Sequence, residues 1–266
     1  MGGGLMATVY AAETDCAFYS YKSGGDTWNL VRGDTAGGVT HIPFHSGGNA
    51  SLYYYAYVKK YNATKFLLVR AILAFDVSGI TAAPSAATLK VWGGSNHTGE
   101  DIVVVKVDAG ATISLADDAV SGDFEKITGF SANNSMAGNV TDYSAVPVSP
   151  PGGGWVNSAY NDIPLSSTCL ADMASLDVLK LMVVQYDNDY LDVIPGDTNG
   201  HNALYAYYQD QTGTSKDPYI DYVPGASGWG GAIAGKGKKL GSTAGGDTKT
   251  ILGVSSANTA KILGIE

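Results

Sequence analysis

The feature that most constrains the fold is an apolar run from Lys65 to Asp76. Odd-numbered positions from 67 to 75 and even-numbered positions from 66 to 74 are both apolar, apart from Arg70. A strand that is apolar on both faces must be covered on both sides, which predicts a central strand. The guanidinium of Arg70 needs a carboxylate or backbone carbonyls, because an unpaired buried charge is costly. We expect Asp76 to supply the carboxylate and the pair to be structural.

Shorter pieces of strand pattern fill much of the remaining chain. Residues 87–92 alternate apolar and polar side chains, as a half-buried strand does, and residues 178–186 repeat the central pattern. Short helices are predicted at 121–127 and 167–176. Gly, Pro and Asn clusters separate these pieces, as in sandwiches and barrels. Further strands are predicted at 7–11, 16–21, 52–59, 102–107, 205–208 and 219–223.

Composition supports the same fold class. The chain has 35 Gly and 17 Tyr, and its only arginines are Arg32 and Arg70. Strands and turns favour this bias, whereas helices favour Leu, Glu, Lys and Arg. We predict an all-β fold, a jelly-roll-like β-sandwich with short helical turns, over residues 1–224. A Gly-rich tail follows over residues 225–266.

The tail contains a weak repeat that predicts assembly. Leu-Gly pairs occur at 240–241, 252–253 and 263–264. Such short apolar patches cannot bury themselves alone. We expect Leu252 and Leu263 to dock on the sandwich or on a neighbouring subunit, giving a homo-oligomer such as a trimer.

Charge and hydropathy exclude several classes of partner. The net charge is −9 and the sequence has no basic stripe, which disfavours nucleic-acid binding. No apolar run approaches a membrane span, and the first residues lack the pattern of a secretory signal. Cys16 and Cys169 form either one disulfide or two buried free thiols.

The densest group of oxygen ligands is Asp187, Asp189 and Asp192. A calcium ion takes six to eight oxygens, so these residues are candidate calcium ligands. The stretch lacks the later Gly and Glu of a helix–loop–helix calcium site. The alternative is an acidic turn at a strand end, capped by Asp and Asn side chains. We expect no other cofactor.

Tyrosines that share a strand face are candidates for carbohydrate contact. Exposed aromatic rings stack on sugars, and tyrosine combines an apolar ring with a polar tip. The alternative is packing in the core or between subunits. We interpret the Pro/Gly-rich segment 129–157 as a surface loop. Its tryptophan, Trp155, is the best candidate for an exposed contact. The candidate ligand-binding residues are Trp155, Tyr53, Tyr55, Tyr57, Tyr205 and Tyr207.

No catalytic constellation is recognisable. The four glutamates are isolated from paired acids, and we find no nucleophile elbow, phosphate loop or dinucleotide fingerprint. We therefore expect a protein that is not an enzyme.

Three segments, which occur in a fixed order along the chain, carry a family resemblance. Leu67-Leu68-Val69-Arg70-Ala71-Ile72-Leu73-Ala74-Phe75-Asp76-Val77-Ser78-Gly79-Ile80, followed by Ser85-Ala86-Ala87-Thr88-Leu89-Lys90-Val91, resembles the core of DNRLRE-type domains. The segment 217–222 resembles their closing strand. The resemblance covers roughly residues 7–224 and implies a jelly-roll sandwich similar to carbohydrate-binding modules.

The stretches 172–176 and 187–190 and the tail also resemble phage and prophage virion proteins. We therefore expect a virion-associated structural or attachment protein, such as a capsid decoration or a tail or fibre component, with other virion proteins as partners. The alternative is a carbohydrate-binding module of a surface or secreted protein, located at the cell surface or outside the cell.

Overall fold

Antiparallel strands make up most of the regular secondary structure in the described residues. The computed structural model describes residues 6–21, 27–33, 39–43, 52–62, 65–96, 101–148, 155–196, 202–208, 215–225, 250–251 and 254–255. The helical pieces are α1 (Trp28–Arg32), α2 (Ser167–Met173), a 3₁₀ helix over Ser121–Glu125 and a π-helical turn over Tyr186–Tyr190. The strands in these ranges are β1 (Ala7–Tyr10), β2 (Cys16–Tyr21), β3 (Val39–Pro43), β4 (Leu52–Asn62), β5 (Lys65–Asp76), β6 (Ala86–Asn96), β7 (Ile102–Lys106), β8 (Tyr160–Pro164), β9 (Val178–Gln185), β10 (Asn202–Tyr207), β11 (Tyr219–Val223), β12 (Thr250–Ile251) and β13 (Val254–Ser255).

Strands β1 to β11 form one hydrogen-bonded network with two parts. The first sheet has the order β1-β11-β6-β8. In the second sheet, β5 pairs with β4 and β9 along one edge and with β2 along the other, and β10, β7 and β3 extend it. The far end of β6 pairs with β10 and so joins the two sheets. This arrangement confirms the prediction of an all-β, sandwich-like fold.

Strand β5 is the central strand that its apolar pattern predicts. Ten of its twelve residues are buried. Its odd-numbered side chains, from Leu67 to Phe75, pack in an inner core against Leu89 of β6 and Ile163 of β8. Apolar burial of this kind is worth about 25 cal/mol per Å² and is the main force that holds the sheets together.

The even-numbered side chains of β5 form a second, outer core. Helix α1 and the segment 107–140 cover this face of the second sheet, with Phe124, Ile127 and Met136 buried against it. Tyr143 and Val148, later in the segment interpreted as a surface loop, are buried too. At these positions the segment is a covering layer of the fold rather than an exposed loop.

The chain divides into two units, residues 1–225 and 226–266. The second contains the short pair β12–β13, and Leu252 and Leu263 lie outside the described residues. Cys16 and Cys169 are buried free thiols in different cores. In the part of the chain that the structure describes, no helix has the length and hydropathy to span a membrane.

Candidate functional site

The candidate sugar-contacting residues proposed from sequence are mostly core residues. Tyr55 and Tyr57 are 0% and 2% exposed, and Trp155 is 9% exposed. Tyr53 and Tyr205 are half-buried against the inner core. The alternative interpretation, core packing, therefore accounts for this group, and Trp155 does not make the exposed contact that we predicted.

Local contacts explain why these rings are buried. The Tyr55 hydroxyl donates to the carbonyl of Tyr207 at 2.9 Å, and its ring lies 4.5 Å from that of Tyr208. Trp155 lies close to the backbone of Gly93, where an added Cβ would be 2.5 Å from its indole nitrogen. Glycine at position 93 gives the ring its place under β6.

Arg70 has a carboxylate partner, but the partner is Asp189 and not Asp76. Its Nε and Nη2 donate to the two oxygens of Asp189 at 2.7 and 2.8 Å, and its Nη1 donates to the carbonyl of Phe124 at 2.7 Å. Asp76 is exposed at the end of β5 and accepts from Ser78. The structural role predicted for Arg70 thus depends on a residue 119 positions away in sequence.

The second arginine contacts the same carboxylate. Arg32 Nε donates to Asp189 at 3.3 Å, and Arg32 Nη1 lies 2.7 Å from Asp192. Arg32, Arg70 and Asp189 are all fully buried. Burial raises the pKa of Asp189, but the charges and hydrogen bonds of the two arginines outweigh this effect and lower it. We call Arg32, Arg70, Asp189 and Asp192 the buried charge cluster.

This cluster changes the interpretation of the acidic turn. Both Asp189 oxygens accept from guanidinium groups, so they are not available to a calcium ion. Gln185 caps the turn by accepting from the backbone N–H groups of Asn188 and Asp189. Among the described residues, no group of three or more His, Cys, Asp or Glu is placed to hold a metal.

A second polar cluster fixes α2 to the sandwich. Asp172 of α2 accepts from Lys106 at 2.7 Å and from the hydroxyl of Tyr143 at 2.6 Å. Desolvation raises the pKa of Asp172, but the contacts of Lys106 and Tyr143 lower it overall. These groups neutralise one another, as structural ion pairs do.

Two further aspartates are buried near Tyr55. Asp15 and Asp217 are 0% and 1% exposed. Burial is the largest cause that raises the pKa of Tyr55, and the charges of these two aspartates raise it further. A glycosidase needs two carboxylates that flank a bound substrate. Both carboxylates are buried, so neither is exposed to a substrate.

The exposed outer face of the first sheet carries a different aromatic group, which we call the aromatic strip. It consists of Tyr10 on β1, Tyr219 on β11, Tyr160 on β8 and Trp92 on β6. Successive ring centroids are 5.5, 4.8 and 5.1 Å apart in that order. The last two contacts are T-shaped, at 73° and 89°, and Tyr10 is 42% exposed.

Strand register explains how the strip forms. Tyr10 lies opposite Tyr219, and Trp92 lies opposite Tyr160. The Tyr160 hydroxyl donates to the carbonyl of Asp217, just before β11, at 3.2 Å, which draws its ring across β6 towards Tyr219. Backbone pairing therefore sets the positions of the strands that carry the rings, and the bond to the Asp217 carbonyl sets the direction of the Tyr160 ring.

Paired polar groups flank the rings. Lys90 donates to both oxygens of Asp162 at 2.7 Å, and Thr8 donates to Asp221 at 2.6 Å. The face therefore offers hydroxyl, ammonium and carboxylate groups beside the aromatic rings.

Lys216 extends the strip towards β10. Its ammonium lies 4.4 Å from the ring centroid of Tyr207 and 6.0 Å from that of Trp92. Both distances fall within the range of cation–π attraction. Tyr207, one of the tyrosines proposed from sequence, therefore lies next to the strip.

Two tyrosines of the strip, Tyr160 and Tyr219, have pKa values above the ordinary value for tyrosine. Burial raises the pKa of Tyr160, and the neighbouring Tyr219 and Tyr10 raise it further. Burial and then Asp221 raise the pKa of Tyr219, while Lys90 opposes the shift. The hydroxyl groups of Tyr160 and Tyr219 therefore stay protonated to a higher pH than a free phenol does.

Sequence reasoning missed the strip, although part of its signal was present. The alternation of residues 87–92 predicts a wet face that contains Lys90 and Trp92, as observed. Strand β8 was not predicted, so Tyr160 had no assigned position. Tyr10, Tyr160 and Tyr219 become neighbours only through the pairing of strands distant in sequence.

No family model matches the chain, and no curated protein matches it. The resemblance to DNRLRE-type domains stays a prediction.

Proposed function

We propose that the chain is a non-enzymatic attachment module that binds carbohydrate on the outer face of its first sheet. The aromatic strip supports this function. Its four rings contact one another on a face that also carries lysine, aspartate and threonine side chains.

The chemistry of sugars fits such a face. A pyranose ring has an apolar face of C–H groups, which packs on aromatic rings, and an edge of hydroxyl groups, which hydrogen-bonds to polar side chains. Tyr10, at 42% exposure, leaves part of its ring open to a ligand. The competing explanation is that the rings only stabilise the sheet through cross-strand contacts, each worth about 0.2–1 kcal/mol.

A binding experiment separates these explanations. The intact protein is screened on a glycan array, and the best ligand is titrated by calorimetry against wild type, Trp92→Ala and Tyr10→Ala. We expect both variants to lose affinity while their thermal unfolding shows that they remain folded. Tyr186→Ala is the control, because this half-buried tyrosine lies in the π-helical turn and outside the strip. Absence of binding to every glycan would reject the proposed function.

We further propose that the module is carried on a virion as a homo-oligomer and contacts other virion proteins. Two features of the sequence support this proposal: the Leu-Gly repeat of the tail, and the resemblance of residues 172–176, 187–190 and the tail to virion proteins. Native mass measurement of the intact chain tests it, and a monomer at micromolar concentration would count against it.

A further inference from the structure

We infer that the protein associates with itself through a neutral face on the outside of its second sheet, which meets the same face of a second copy. The neutral face consists of residues 27–33, 128–141 and 188–196, all of which the structure describes. This inference rests on the proposed homo-oligomer and adds the surface that its copies share. It follows from the continuity of the face, its lack of exposed charge and the apolar side chains that it presents.

Hydrogen bonds join the three segments into one surface. The side chain of Asn29 donates to that of Asn133 at 3.1 Å, which links the first segment to the second. The backbone N–H of Met136 donates to the carbonyl of Tyr190 at 2.8 Å, which links the second to the third. The buried side chains of all three segments belong to the outer core. The neutral face therefore covers the second sheet, whereas the aromatic strip lies on the first.

Over its described residues, the neutral face presents no unpaired charge. Its charged side chains are Arg32, Asp189 and Asp192, and all three belong to the buried charge cluster. Exposed charges lie just outside its borders in sequence, with Lys126 before the second segment and Asp187 before the third. An uncharged centre with a charged rim is the usual anatomy of a protein–protein interface.

The net charge of the chain indicates which partner fits this face. At a net charge of −9, two copies repel each other wherever their acidic side chains meet. This repulsion is weakest where neither copy exposes a charge, so the neutral face fits the same face of a second copy. A cationic partner would instead be attracted to acidic stretches such as 108–118, where Asp108 and Asp117 are exposed.

Exposed apolar side chains supply the driving force for contact. Val193 and Ile194 are 50% and 60% exposed, and Leu30 on α1 is 48% exposed. Asn188 fixes Val193 from both sides: its carbonyl accepts from the Val193 N–H at 2.9 Å, and its side-chain amide donates to the Val193 carbonyl at 3.0 Å. These apolar groups are few, so contact through the face alone is weak. We expect the tail to strengthen it by holding the copies at a high effective concentration.

Sedimentation equilibrium of the intact protein over a dilution series tests the face. Val193→Asp places a charge in the contact, and we expect the dissociation constant of the oligomer to rise about tenfold or more. Leu30→Asp, on another segment of the same face, should have the same effect, and it replaces the first variant if circular dichroism shows that Val193→Asp does not fold. Val156→Asp is the matched control, since Val156 is 51% exposed and lies outside the face. Its dissociation constant should stay within about twofold of wild type.

Hydrogen exchange locates the contact on the molecule. When the intact protein is concentrated, amides of residues 131–139 and 191–194 should exchange more slowly, and those of β1 and β8 should keep their rates. An oligomer that both face variants weaken no more than Val156→Asp does, or slowing confined to the first sheet, would overturn this inference and leave the homo-oligomer in place. A wild-type protein that stays monomeric throughout the series would leave the face to another partner and would reject the homo-oligomer as well.

Discussion

The buried charge cluster makes a sharp prediction about stability. In Asp189→Asn, the side chain keeps its shape but loses the charge that neutralises Arg70 and Arg32. Three hydrogen bonds, at 2.7, 2.8 and 3.3 Å, end on its carboxylate. An asparagine oxygen can still accept one or two of them, but its amide nitrogen would face a guanidinium.

The magnitude follows from the burial of both arginines, which are 0% exposed. Removal of one partner from a buried ion pair costs about 3–5 kcal/mol, because the remaining charge is left uncompensated. Asp192 still contacts Arg32, at 2.7 Å, so part of the compensation survives. We expect a loss of about 3–4 kcal/mol in the free energy of unfolding.

Urea unfolding of wild type and variant, followed by circular dichroism, measures this loss. The control is Asp187→Asn, an identical substitution two residues away at an exposed position, for which we expect a change within about 0.5 kcal/mol. If Asp189→Asn matched the control with an unchanged denaturant slope, the carboxylate would not be the group that stabilises the arginines.

The same cluster predicts the response to acid. The pKa of Asp189 in the folded protein lies below its ordinary value of 3.8. Its contribution to stability is therefore complete well above pH 3.8 and is lost as the pH falls through the folded pKa. Asp189→Asn should consequently flatten the acid limb of the curve of stability against pH, and an unchanged acid limb would contradict the assignment.

Three further changes test other parts of the fold. Gly93→Ala should destabilise by about 1–3 kcal/mol or more, since the new Cβ would lie 2.3 Å from the Val156 carbonyl oxygen; wild-type thermal stability would contradict this. Burial raises the pKa of Tyr55 and Tyr208 well above 10.0, so stability should be lost as the pH rises above that value. Tyrosinate absorbance and circular dichroism should then change together, whereas complete ionisation of a folded protein would refute the reasoning. Deletion of residues 226–266 should leave a folded sandwich but abolish the homo-oligomer; an unchanged oligomer by light scattering would reject the docking role of the tail.

The sequence predicts the elements of this fold better than their partners. The alternation in β5 predicts a central strand with the observed bounds, because burial on both faces leaves a local, two-residue signature. Strand β8 lacks a comparable signature, since Asn161 is buried and Tyr160 is half-exposed. Helix α1 was missed because its five residues are too few to show a helical period.

Contacts between distant residues were beyond sequence reasoning for a different reason. The sequence favours Asp76 as the partner of Arg70 because both lie on the same strand, but six residues of extended strand place Asp76 roughly 20 Å away. Asp189 reaches Arg70 because β9 pairs with β5 and the π-helical turn then folds over the outer core. The tyrosines of β4 were ambiguous in the same way, since alternation assigns them to one face but does not reveal which face is covered.

The inner core and the strip meet on β6 at the adjacent residues Trp92 and Gly93. Trp92 projects to the outer face, while the next residue, Gly93, admits Trp155 to the inner side and pairs with Ala206 of β10. The strip is thus held by the same backbone that closes the sandwich. A preorganised face of this kind binds without the entropic cost of ordering loops. We therefore expect sugar binding to leave the backbone of β6 in place, and changes at Gly93 to weaken binding and stability together.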